Sequence, residues 1–265
     1  MTRRYFQVAM VVAVVAVLAW STAVSQTFGV RKPRPKPNEY GTTVIDNAST
    51  ANQIAAVEFP HWLHRANYTC RLCHVDIGFG MTANETGITE DDNRHGMYCG
   101  TCHNGEIAFR CQEGKMAEGG PRSCDRCHSV GLEIEPKNDF YVFREGMPRE
   151  RFGNGIDWVK AEDDRLIAPV DIIESVSFRR PKLVNPNDEQ LTANEITMPN
   201  IIFSHQKHTV WNGCELCHPQ IFGVTKGATT YTMQEIFEGR FCGGCHSKVS
   251  FPTDDCQRCH TEPVV

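Results

Sequence analysis

The sequence predicts a mostly irregular fold with short α-helices and little β-sheet, built as two similar modules in tandem. Three observations lead there. Twelve of the 13 cysteines stand in six copies of Cys-x-x-Cys-His. The second half of the chain repeats the first at an offset of 144 residues. Each repeat is also too short to bury a large apolar core unaided, since small domains leave much of their surface in water.

The six motifs are Cys70/Cys73/His74, Cys99/Cys102/His103, Cys124/Cys127/His128, Cys214/Cys217/His218, Cys242/Cys245/His246 and Cys256/Cys259/His260. One such pentapeptide is ambiguous between a redox dithiol, half a zinc site and covalent haem. Zinc does not require histidine directly after every second cysteine, whereas c-type haem does. Two thioethers fix the porphyrin edge and the adjacent imidazole reaches the iron. Six covalently bound haem c groups are therefore expected, and they supply the apolar area that each module lacks. Haem-free chain should be largely unfolded. Cys111, in "FRCQEG", belongs to no motif and reads as an inert thiol.

The N-terminus carries Arg3 and Arg4 before an apolar run of 13 residues, Val8 to Trp20, and then small residues. This is an export signal with an acceptable cleavage pattern at Ala23-x-Ser25. Counted from Tyr5 to Val24, 20 residues would also cross a bilayer as an uncleaved anchor. Both readings stay open for residues 1–25. Either way the folded part is expected in the periplasm, soluble or anchored to the cytoplasmic membrane, with outer-membrane or extracellular association as a further option. Cysteines there serve haem rather than disulfides. The formal charge of −5, made more negative by haem propionates, excludes nothing by itself, but the sequence has no basic face suited to nucleic acid.

The repeat is gapless between "VEFPHWLHRANYTCRLCH" (57–74) and "IIFSHQKHTVWNGCELCH" (201–218). Residues 52–130 and 196–262 are thus two three-haem modules. Residues 26–51 read as a Pro-rich linker, since "RKPRPKP" favours extended backbone. Residues 131–195 connect the modules. They contain a helical stretch near Ile156–Lys160 and the turn-like "NPNDEQ", and an irregular run of this length is expected to wrap a haem module.

Five histidines remain: His61, His64, His95, His205 and His208. All stand at repeat-matched places, which points to second axial ligands. His61 and His64 are three residues apart, as are His205 and His208, so each pair shares one face of a helical turn. Two imidazoles on one turn would reach the irons of two adjacent haems. The second module breaks the pattern. Four residues before Cys99 stands His95, but four before Cys242 stands Glu238.

The motifs "FPHWLH" and "FSHQKH", each followed by three Cys-x-x-Cys-His, resemble the triheme cytochrome c7 family, relatives of the tetraheme cytochromes c3. The likeness covers both modules and implies a haem-cored multihaem cytochrome. It also implies axial pairs: His61 with His74, His64 with His103, His95 with His128, His205 with His218, and His208 with His246. His260 is left without a histidine partner. Some tandem c7-like proteins complete one haem with methionine, which makes Met233 the first candidate. Glu238, an open position and Met198 are the alternatives.

The expected function is electron transfer. Bis-His haem has no vacant site, so it changes oxidation state without binding substrate. A Met/His haem sits at higher potential and would add an energetic step. The resemblance implies a carrier in anaerobic respiration, between the quinone pool or periplasmic redox partners and terminal or extracellular acceptors. Two alternatives remain. The chain would be a haem subunit of a membrane quinone-linked complex, or a reductase of a small molecule at an open sixth haem. End-to-end self-assembly is compatible with the carrier reading.

Overall fold

The computed structural model describes residues 34–110, 124–133, 138–181, 186–193 and 198–262. The export segment, the start of the Pro-rich stretch and Cys111 lie outside the described residues. Residues Lys36–Val265 form one compact unit. Among the described residues no helix is long and apolar enough to cross a membrane.

Each module opens on a short antiparallel hairpin that delivers the chain into a His-x-x-His helix. Strand β1 (Thr42–Ile45) pairs with β2 (Val57–Pro60), Thr42 opposite Pro60 and Ile45 opposite Val57. Pro60 keeps the backbone extended at the junction, and α1 (His61–Arg65) begins at once. In the second module β3 (Glu189–Leu191) pairs with β4 (Ile201–Phe203), and Ser204 caps α5 (His205–Asn212) with its hydroxyl. The first strands, β1 and β3, lie upstream of the repeat visible in sequence, inside the stretches read as linker and connection. Backbone pairing places them there, and backbone pairing tolerates sequence drift.

A second helix in each module has the same frame. Helix α2 (Glu90–Arg94) starts at a Thr89–Asp92 capping box and ends on His95; α6 (Met233–Phe237) starts at a Thr232–Glu235 box and ends on Glu238. The following haem motif then folds back against the helix. A Cβ at Gly100 would lie 1.9 Å from the Asn93 carbonyl oxygen, and one at Gly243 lies equally close to that of Ile236. Glycine after the first cysteine of these motifs is therefore dictated by close backbone approach.

The connection has the helix expected near Ile156–Lys160, and a further one before it. It contains α3 (Phe140–Glu145) and α4 (Trp158–Asp163), each capped by an aspartate, Asp139 and Asp157. Phe140, Ile156, Trp158, Ala161 and Ile167 bury themselves against Trp62 and Ala66 of the first module, with Trp211 of α5 packed alongside. Trp62 meets Phe140 edge-on at 5.3 Å between centroids. So the modules share an ordinary apolar cluster in addition to any porphyrin core, and α1 divides its surface between the two. Burying large apolar side chains of this kind is worth about 1.5–3 kcal/mol each.

Candidate haem sites

Every histidine of the chain is held in the same way, by its Nδ1. The six that follow cysteines donate to a backbone carbonyl: His74 to Phe79 at 3.0 Å, His103 to Phe109 at 3.1 Å and His128 to Ala55 at 2.7 Å. Their counterparts are His218 to Phe222 at 2.8 Å, His246 to Phe251 at 3.1 Å and His260 to Pro199 at 2.7 Å. The five others do likewise: His61 to Gly41 at 2.7 Å, His64 to Pro60 at 3.2 Å, His95 to Asp91 at 2.9 Å, His205 to Asn187 at 2.9 Å and His208 to Ser204 at 2.8 Å. A carbonyl only accepts, so each ring carries its proton on Nδ1 and turns the Nε2 lone pair outward. Metal-bound imidazoles are oriented and made more basic in this way. Burial pushes His61 and His246 down to about 4 and lowers His64, His74, His103 and His208 as well, which favours the neutral ligand form.

Two of the five expected pairs come together as ring pairs. His64 and His103 lie 6.4 Å apart between centroids, and His208 and His246 lie 6.3 Å apart. Two metal–nitrogen bonds of about 2 Å, plus the distance from ring centre to nitrogen, bring trans imidazoles to roughly 6 Å. These pairs therefore have the spacing of two rings on opposite faces of one metal. His61 and His74 are electrostatic neighbours. Among the described residues His95 with His128, and His205 with His218, make no ring contact.

Phe59 and Phe203 have a role that the sequence reading did not assign. Phe59 meets His61 edge-on at 4.8 Å and lies tilted over His64 at 4.2 Å; Phe203 treats His205 and His208 identically, at 4.9 and 4.3 Å. The phenylalanine of Phe-x-His-x-x-His thus orients both imidazoles. The arginines of the third motifs also recur, Arg126 over Phe109 and Arg258 over Phe251, beside the carbonyls that hold His103 and His246. Their signal was visible as "CDRCH" and "CQRCH", but only the fold supplies a target.

One continuous cavity of 3280 Å³ is lined by eleven of the twelve motif cysteines and nine of the eleven histidines. An ordinary ligand pocket is roughly 300–1,000 Å³, so this space suits several macrocycles side by side. None of the twelve motif cysteines is in a disulfide, and burial pushes the Cys73 and Cys245 thiols up to about 12. The residues fit covalent haem.

A family model described as cytochrome c7 and related cytochrome c matches residues 57–129 and 201–261. The chain belongs to this family. As a c7-type multihaem cytochrome it carries covalently bound haem c and transfers electrons to and from redox partners. Solved structures similar to it include a c7-type three-heme cytochrome domain, 30% identical over 29% of this chain and 95% of the other, at a TM-score of 0.27. The C-terminal hexaheme fragment of GSU1996 is 21% identical over 87% of this chain and 99% of the fragment, at a TM-score of 0.27. The dodecaheme cytochrome c GSU1996 is 19% identical over 83% of this chain and 73% of the other, also at 0.27. No curated protein matches.

At the position that breaks the repeat, the cytochrome has Glu238 as the C-cap of α6, where His95 is the C-cap of α2. Glu238 accepts from Gln234 Nε2 at 2.8 Å and from Arg240 at 3.0 Å, and these partners hold its carboxyl below the usual range. It is an exposed, engaged carboxylate rather than an aimed ligand. Met233 opens the same helix and lines the cavity. Met198 also lines it, but stands next to Pro199, whose carbonyl grips His260 from the Nδ1 side.

Proposed function

We propose that this cytochrome holds six haems and carries electrons outside the cytoplasmic membrane in anaerobic respiration, between the quinone pool or periplasmic carriers and terminal or extracellular acceptors. The observation that supports it best is the pairing of His64 with His103 and of His208 with His246, at a spacing that occupies both faces of an iron. His64 with His103, and His208 with His246, would each hold an iron between them, leaving it able to exchange electrons but without a place for substrate. By the repeat, His61 serves with His74, His95 with His128, and His205 with His218. Met233 completes the haem of His260. The chain's own contribution is orientation: anchored Nδ1 protons, phenylalanine wedges and a buried setting that tunes potential.

The test is an EPR spin-state census of the oxidised holoprotein, with and without cyanide or nitrite. Six low-spin haems inert to added ligand are expected. One high-spin haem that takes up ligand would sink the carrier reading in favour of a reductase. That alternative also needs a proton donor, and Glu238 is engaged elsewhere. Replacing His95 with alanine is expected to turn one haem high-spin, the one at His128, and to leave the second module's spectrum unchanged. Paramagnetic NMR of the haem methyls checks this, and a change in the signals from His218 or His246 would refute the pairing.

A further inference from the structure

The modules meet around a half-buried cation. Arg65, the last residue of α1, has its guanidinium carbon 4.4 Å from the Trp158 ring and 4.6 Å from the Trp211 ring. Its Nη1 donates to the Val249 carbonyl at 2.7 Å. Trp158 comes from the connection, Trp211 from α5, and Val249 from the loop whose amides turn back onto Cys245. The ionisable groups that face it are Cys70 and His61 of the first module, Cys245 and His246 of the second, Tyr40 and Glu162. Glu162 accepts from the Trp211 indole, and the Tyr40 hydroxyl donates to the Ser250 carbonyl. Among the described residues no carboxylate lies within ion-pair distance of Arg65. Once Cys70 and Cys245 are thioethers, the fixed charges near this seam include Arg65, Glu162, Lys248 beside Cys245 and Asp254 beside Tyr40.

We propose that Arg65 sets the reduction potential of the two haems that flank the module junction, those attached through Cys70/Cys73 and Cys242/Cys245. The proposal rests on the haem reading given above. A fixed cation partly withdrawn from water would stabilise the electron taken up by a neighbouring iron, because less solvent screens it than at an open surface. The arginine is suited to this. It stays charged, and two indole faces plus one carbonyl hold it without neutralising it. The junction haems are thereby raised relative to the same haems without the cation, which keeps electrons at the crossing between modules.

The experiment is an NMR-monitored redox titration of the full-length holoprotein and three variants. In Arg65→Met, the haems assigned to His74 and His246 should shift about tenfold toward the oxidised form, a fall of about 59 mV for one electron. In Arg65→Lys they should stay near their original potentials. In Glu162→Gln, which unmasks the cation and is close to isosteric, the same haems should rise; this variant decides the matter should Arg65→Met not fold. With all haems attached, unmoved junction potentials in Glu162→Gln and Arg65→Met overturn the assignment, as does a shift confined to the haems of His103, His128 or His260. Equal shifts in Arg65→Lys and Arg65→Met point to packing and also overturn it. A mass lacking haem at Cys70 and Cys73 overturns this proposal and the six-haem reading together.

Discussion

Replacing Met233 with alanine is expected to convert one haem of the oxidised protein from low to high spin and to lower its potential. The drop should exceed about 59 mV, a tenfold change in a one-electron equilibrium. Met233 opens α6, the counterpart of the helix that ends on His95, and lines the cavity shared with His260. A thioether opposite histidine favours the reduced iron relative to imidazole, so its loss costs electron affinity. The tied Glu238 carboxylate offers no ready replacement. EPR of the oxidised variant and a spectropotentiometric titration check the two effects. An unchanged haem spectrum would rule out Met233 and turn attention to Met198.

Asp76→Asn is expected to destabilise the holoprotein by about 3 kcal/mol, the loss typical of breaking a buried ion pair by removing one partner. The Asp76 side chain is fully buried, and takes Arg71 Nη1 at 2.9 Å and Arg180 Nη1 at 2.8 Å. Arg71 lies between Cys70 and Cys73, and Arg180 continues to Glu215 between Cys214 and Cys217. One carboxylate thus ties equivalent haem motifs of the two modules together. The amide would keep the shape, leave two guanidinium groups undercompensated and point its own N–H donors at one of them. A thermal melt followed at the Soret band should fall by roughly 6–12 °C for a chain of this size. A melting temperature within a degree or two of the parent would show that Asp171 and Glu215 suffice for the two arginines.

The haem chemistry and the duplication were legible in the sequence because both are local. A thioether pair and a proximal imidazole must come from five contiguous residues. A His-x-x-His turn places its rings by helical periodicity alone. The short capped helices at Thr89 and Thr232 are equally local, since their boxes span four residues. The contacts that local sequence does not encode lie across long separations. Arg65 donates to a carbonyl 184 residues away and Arg180 to a carboxylate 104 residues away, and no spacing rule announces either. The connection is expected from sequence only to wrap a haem module, yet Trp158 and Phe140 place it in an apolar cluster that meets both modules.

By itself, then, the sequence determined the prosthetic group and offered the candidate attachment points and ligands, since covalent and helical geometry act over a few residues. Only the tertiary structure decided which imidazoles face each other, how each Nδ1 is anchored, and which charges sit between the modules. Those depend on where the backbone carries distant segments, and burial sets their strength. Arg65 is partly withdrawn from water only once Trp158, Trp211 and the loop at Val249 have gathered around it, and Asp76 is buried only once Arg71 and Arg180 converge on it.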